Sequence, residues 1–278
     1  VDWPAIRKQY EKMVADCASR EDVEYVIGEM ISELNVGHAY VRGGGDFQTE
    51  STVPVGLLGA TFEWNDGAYR IVGILEGAAW DVDARGPLSQ PGVDVKIGDY
   101  LLAVNSVPVD AKKDPWAAFL GLAGKVVTLT VSAKPQIDSD ARQVVVELLK
   151  SDDELRYRAW IEQKRALVDQ KSGGRIGYIY VPNTGTNGQN DLFRQFYCQT
   201  DKDALIIDER WNGGGQIPTR FIELLNRPVT NYWARREGTD WTWPPDSQQG
   251  PKCMLINGLA GSGGDCFPYY FRQRGLGK

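Results

Sequence analysis

The sequence predicts a multidomain chain of mixed α+β and α/β class: a small N-terminal helical module, a β-barrel-like domain, and an α/β sheet covered by helices. Three observations carry this expectation. Apolar residues recur at three- and four-residue spacing near the start, short β-rich runs broken by turn residues fill the middle, and apolar strands alternate with helical segments toward the end. With 278 residues, 42% of them apolar, the chain is long enough to bury more than one core.

Between Asp2 and about Leu34, the residues Ile6, Tyr10, Met13, Val14, Val23, Val26, Ile27, Met30, Ile31 and Leu34 lie at helical spacing. Ser19 with Asp22 marks a helix start, so two helices broken near Ser19 are expected. This module, placed at 1–50, runs into "NVGHAYVRGGGDF", where Gly43 to Gly45 punctuate it. From about Thr52 to Ala133 the texture changes to "VGLLGATFEW", "YRIVGIL", "YLLAVNSVPV" and "VVTLTVSA", separated by Gly, Pro, Asn and Asp turns. With a trailing strand, this domain is placed at 51–150. The charged stretch "DDELRYRAWIEQKRALVDQK" offers apolar Leu155, Trp160, Ile161, Ala166 and Leu167, and is placed at 151–172 as a helical link. Over 173–278 the order is "RIGYIYV", a helix near Gln189 to Phe196, "ALIID", a helix near Thr219 to Leu225, "KCMLIN" and a final helix. Continuous apolar strands imply a sheet covered on both faces.

Composition excludes several function classes. A formal charge of -6 and a pI near 5.0 argue against nucleic acid, whose phosphates need clustered Lys and Arg. The longest apolar runs, such as "ALII" and "CMLI", are too short to span a bilayer, and "VDWPAIRKQY" lacks the layout of a signal peptide, so no membrane partner is expected. A start at Val1 suggests a processed segment, and localisation is read as cytoplasmic. Cys17, Cys198, Cys253 and Cys266 are scattered without a C-x-x-C pair, which points to free thiols. No metal or organic cofactor is expected.

The chemistry is sought in "INGLAGSGGDCFPYYF", residues 256–271, where Ser262 sits among glycines between an apolar run and an aromatic one. The strand "ALIIDERWNGGG" ends in Gly213 to Gly215. Sites in open α/β sheets lie at the carboxyl ends of strands, so both glycine loops are expected to face one crevice. Glycine lets backbone N–H groups approach closely, as an oxyanion hole requires, and losing one such donor costs roughly 3 kcal/mol. Taken alone, Gly-Ser-Gly-Gly also reads as a flexible turn. The chain has one histidine, His38 in "VGHAYV". If Ser262 needs an imidazole base, His38 is the candidate, although a lone histidine also reads as a structural residue. An α/β-hydrolase elbow is excluded, because Ala260 stands where G-x-S-x-G needs glycine and no histidine follows Ser262.

Two resemblances sharpen this reading. Val95 to Ser106, "VKIGDYLLAVNS", resembles the L-x-x-G-D-x-I-L-x-I-N-G element of PDZ domains. That implies capture of an extended peptide at a sheet edge, its terminal carboxylate held by the N–H groups of Gly56, Leu57, Leu58 and Gly59. Across essentially the whole chain, "GHAYV", "GGRIGYIYV", the D-x-R-x-N-G-G-G of Asp208, Arg210, Asn212 and Gly213 to Gly215, and "NGLAGSGGDCFPYYFRQRGLGK" resemble the catalytic core of the tricorn-like peptidases, relatives of the tail-specific peptidases. The resemblance implies a serine endopeptidase acting on peptides or unfolded polypeptides, with Ser262 as nucleophile and His38 as general base. It places the oxyanion donors at Gly263 and in the triple-glycine loop, Gly215 first and Gly214 next. Asp265 would complement the dipole of the following helix, within which Pro268 should leave a carbonyl unpaired or kink it. Two departures accompany the match. Gly37 stands where the family resemblance implies a serine, and the family's acidic residue is expected beyond Lys278, which implies a truncated chain. Relatives assemble, so a homo-oligomer is expected. The competing expectation is a PDZ-containing peptide-binding protein without activity.

Overall fold

The computed structural model describes residues 1–41, 52–77 and 85–278. The chain divides into two compact units, 1–53 and 54–278. Gly43 to Gly45 lie outside the described residues.

The first unit holds the two expected helices. Helix α1 (Trp3–Val14) starts where the Asp2 carboxylate accepts the Ala5 N–H at 3.2 Å, with Pro4 in the first turn. Helix α2 (Arg20–Ser32) opens on a capping box: the Ser19 hydroxyl accepts the Asp22 N–H at 3.1 Å and the Asp22 carboxylate accepts the Ser19 N–H at 2.9 Å. Tyr10 and Val26 are buried between the helices, and the Tyr10 hydroxyl donates to the Glu29 carbonyl and the Glu33 carboxylate. His38 follows α2 in an exposed turn, its ring 6.4 Å from that of Tyr40 and nearly perpendicular to it.

The second unit opens with an antiparallel sheet of β1 (Ala60–Asn65), β2 (Ala68–Ile74), β3 (Tyr100–Val104), β4 (Val107–Pro108), β5 (Val126–Ser132) and β6 (Arg142–Glu147). Its order is β1-β2-β3-β5-β6, with β4 paired to β3. Two hairpins turn on two residues each. Asp66 and Gly67 have φ of 49° and 84°, and Asn105 and Ser106 have φ of 49° and 64°, the left-handed pair that matches strand twist. Leu58, Ile71, Leu101, Phe119, Leu129, Val131 and Leu148 fill the core.

Helix α3 (Asp153–Ser172) follows, closed by Gly173 at φ 62°. The stretch expected as a link instead covers a sheet face. Ile161 is buried against Tyr178 and Tyr180, and Trp160 meets Tyr180 edge-on at 5.0 Å. The remaining elements are β7 (Ile176–Tyr180), α4 (Thr186–Tyr197), β8 (Ala204–Asp208), α5 (Pro218–Leu225), the hairpin of β9 (Asn231–Trp233) and β10 (Trp241–Trp243), β11 (Lys252–Leu255), and α6 (Gly263–Gln273). Strands β11, β8 and β7 form a parallel sheet in that order. On the face opposite α3, Ile179, Val181, Leu205, Ile207 and Met254 pack against Leu192, Phe196, Phe221, Phe267 and Phe271 of the helices. Burial on both faces explains the unbroken apolar runs of β7 and β8. The expected two-sided cover stops short of β11, where Lys252 and Met254 are buried but Cys253 and Leu255 on the other face are exposed.

Strand β7 lies at an edge of the described sheet, and Gln195 of α4 with Gln199 just past its end satisfies the outward backbone groups of Tyr180 and Tyr178. The Gln195 amide donates to the Tyr180 carbonyl at 2.9 Å and accepts its N–H at 3.0 Å, and Gln199 does the same for Tyr178 at 3.0 and 2.8 Å. Two side-chain amides thus stand in for a neighbouring strand, which leaves no open edge there.

Candidate active site

Three loops, following β7, β8 and β11, meet at the carboxyl ends of the parallel strands. Asn212 ties them together. Its amide donates to the Val181 carbonyl at 3.1 Å, its side-chain oxygen accepts the Gly214 N–H at 2.8 Å, and its main-chain carbonyl accepts the Gly261 N–H at 3.1 Å. The Gly213 N–H donates to the Pro182 carbonyl at 2.9 Å, and the Asn257 side chain accepts the Trp211 and Leu259 N–H groups. Each glycine of the triple has a reason to be glycine or a place in this web. A Cβ on Gly214 would sit 2.8 Å from the Ser262 Cβ and 3.0 Å from the Gly263 nitrogen, closer than a side chain can come. On Gly215 it would land on the Thr184–Gly185 peptide.

Beneath the loops, Asp208 is wholly buried and fully engaged. It accepts the Tyr178 hydroxyl at 2.7 Å and a bidentate pair from Arg210, at 2.9 Å from Nε and 2.7 Å from Nη2. Burial, then the bond to Asp208, pushes the Tyr178 phenol far up from its ordinary value. The Arg210 guanidinium also lies over the Trp211 ring at 4.9 Å. This network anchors the end of β8, so the glycines begin from a rigid point.

Ser262 is the N-cap of α6 and has φ 57° and ψ -118°, a conformation that costs of order 1–3 kcal/mol for a residue with a side chain. It sets Ser262, an exposed residue, at the helix N-terminus with its Cβ against Gly214. The Gly215 and Gly263 N–H groups carry no hydrogen bond to another described residue, whereas the Gly214 N–H is taken by Asn212. A Cβ on Gly263 would be 2.8 Å from the Gly215 nitrogen, which packs Gly263 directly against the Gly215 amide. Asp265 falls in the first turn of α6 and donates its N–H to the Ser262 carbonyl at 3.0 Å, and Pro268 lies inside the helix. The geometry therefore combines a strained serine, two available amides and a helix N-terminus, which is what acyl transfer through a tetrahedral oxyanion uses.

Of the residues singled out in the sequence, Ser262, Gly263, Gly214 and Gly215 come together in the second unit, and His38 belongs to the first. In the PDZ-type loop, the Gly56 N–H donates to the Phe119 carbonyl and the Leu57 N–H to the Leu149 carbonyl, both at 3.0 Å. Those two amides are spent inside the domain and cannot hold a carboxylate, which leaves Leu58 and Gly59. Sequence reasoning missed Glu209. It is wholly buried, neither carboxylate oxygen has a hydrogen-bond partner among the described residues, and burial, then Asp265 and Asp208, pushes its carboxyl up to about 8. The signal was period two carried one residue past β8, from the buried Leu205 and Ile207 to Glu209. Among the described residues, no group of three or more His, Cys, Asp or Glu is placed to hold a metal ion. No described helix is long and apolar enough to cross a membrane.

A family model described as the tricorn protease PDZ domain matches residues 56–151, and one described as the tricorn protease C1 domain matches residues 1–32. The chain is 33% identical over 273 residues to tricorn protease of Thermoplasma volcanium, a match covering 98% of this chain and 26% of that protein. It is 35% identical over 280 residues to tricorn protease homolog 1 of Streptomyces coelicolor, covering 100% and 26%. The crystal structure of the tricorn protease matches with a TM-score of 0.86 at 29% identity, over 99% of this chain and 26% of that one. The chain thus spans 26% of the length of each of these relatives.

Proposed function

Because the chain is homologous to tricorn proteases over its whole length and carries that family's C1 and PDZ domains, we propose that it supplies the catalytic serine of a tricorn-type endopeptidase acting on peptides or unfolded polypeptides. The observation that carries this reading is the strained backbone of Ser262 at the start of α6, beside the available Gly215 and Gly263 amides. Ser262 Oγ attacks the scissile carbonyl carbon while the His38 imidazole takes the hydroxyl proton. The oxygen of the tetrahedral adduct accepts hydrogen bonds from the Gly215 and Gly263 N–H groups, and loss of either donor is worth 10²–10³ in rate. The adduct collapses, the amine leaves with the proton held by His38, and water, deprotonated by the same imidazole, releases the acid and regenerates Ser262.

A second reading is favoured by the PDZ match at residues 56–151: the chain binds peptide without cleaving it. Ser262→Ala separates the two. Under the peptidase reading the wild-type chain turns over an unfolded polypeptide, and the variant binds it without turnover. Equal, negligible turnover by both with undiminished binding sinks the peptidase reading and leaves the binding module.

A further inference from the structure

The loop that follows β7 carries a side chain that the chemistry above does not use. Thr184 is wholly buried. Its N–H donates to the Gly214 carbonyl at 2.9 Å and its carbonyl accepts the Ile217 N–H at 3.0 Å, while its hydroxyl oxygen has no hydrogen-bond partner among the described residues. A buried hydroxyl without a partner lowers stability, and a valine of nearly the same shape would not carry that cost.

Thr184 bears on both amides of the oxyanion pair. A trans peptide is planar, so fixing the Gly214 carbonyl turns the Gly215 N–H the opposite way. The Thr184 main chain therefore aims the first donor. A Cβ on Gly263 would land on the Thr184 hydroxyl, so that hydroxyl packs directly against the residue that supplies the second donor. The same point lies against the Gly215 carbonyl, which accepts from no described group. An unpaired donor and an unpaired acceptor thus flank Gly263 from the same side.

We propose that Thr184 is a positioning residue for the oxyanion site: while its N–H fixes the Gly214–Gly215 peptide, its hydroxyl closes onto the Gly215 carbonyl as the site fills, so that Gly215 is held on both sides and its N–H and that of Gly263 stay on the developing oxyanion. The inference rests on the serine-peptidase reading and adds to it a residue that neither touches substrate nor moves a proton. An interaction absent at rest and completed in the transition state acts on kcat and leaves KM in place.

The test is made on the full chain with Thr184→Val and Thr184→Ser, reading kcat and KM on a peptide, the rate of labelling by a fluorophosphonate, and Tm. Thr184→Val is expected to lower kcat and the labelling rate about ten-fold with KM little changed, and to hold or raise Tm. Thr184→Ser, which keeps the hydroxyl, is expected to stay near wild type. Wild-type rates in the valine variant overturn the role of Thr184 alone. So do equal losses in both variants with a lowered Tm, because the lost methyl then explains the effect. A wild-type chain inert to both peptide and fluorophosphonate overturns the peptidase reading itself, and this inference with it.

Discussion

Replacing Glu209 by Gln should stabilise the second unit at pH 8 and flatten its dependence on pH. Glu209 is wholly buried at the end of β8 with both oxygens unpaired among the described residues, and it feels Asp265 from α6 and Asp208 from its own strand. Burial in an apolar setting disfavours the charged form, and two like charges add to that. A carboxyl that ordinarily titrates near 4.5 is thereby pushed up to about 8. The folded chain then binds this proton more tightly than the unfolded chain does. Between those two values the unfolded chain has lost the proton while the folded chain keeps it, so stability falls as pH rises and levels off above the folded value. At about 1.4 kcal/mol for each pH step, the whole window amounts to about 5 kcal/mol at most. Glu209→Gln removes the titration but leaves a buried amide that also lacks partners, costing about 1–3 kcal/mol. The net gain expected at pH 8 is therefore about 1–3 kcal/mol, falling with pH and turning into a net cost near pH 5. Urea unfolding of both proteins at pH 5, 6, 7 and 8 reads the difference directly. Parallel stability profiles across that range would refute the reasoning, since they would mean that Glu209 ionises alike in the folded and unfolded chains.

Two further outcomes follow from the loops and the sheet edge. Gly263→Ala should cut kcat at least a hundred-fold, because a methyl there lands on the Gly215 carbonyl and the Thr184 hydroxyl and must push the two oxyanion amides apart; a kcat within ten-fold of wild type on a peptide substrate would contradict it. Gln199→Ala strips the Tyr178 N–H and carbonyl of their side-chain partners at the edge of β7 and should cost about 2–4 kcal/mol in urea unfolding, whereas Gln199→Glu, which can accept but not donate when ionised, should cost at least as much.

The legible parts of the molecule were those written in local pattern. The Ser19 and Asp22 capping box, the helical spacing around Tyr10 and Val26, and the apolar runs of β7 and β8 each declare their element within a few residues. The glycines on either side of Ser262 were equally compatible with a flexible turn, and only the wider motif match singled them out as a close-approach device. What could not be read depends on partners distant in sequence. The helix at 151–172 looked like a link because its charged residues outnumber its apolar ones, yet Ile161 and Trp160 suffice to seat it on Tyr178 and Tyr180. Gln195 and Gln199 give no signal in the chain, and their role exists because no strand among the described residues pairs with β7 on that side. The strain at Ser262 and the buried state of Thr184 and Glu209 arise where three loops pack together, a contact that no single stretch of sequence encodes.

The central claim is that Ser262 is a nucleophile activated by His38 beside a formed oxyanion site. Intact-mass detection of a fluorophosphonate adduct tests it most directly, because the reagent needs both an activated serine and the oxyanion donors. The account predicts one adduct per chain, mapped to Ser262 and lost in both Ser262→Ala and His38→Ala. An adduct that persists in Ser262→Ala, or none on the wild-type chain, would contradict it.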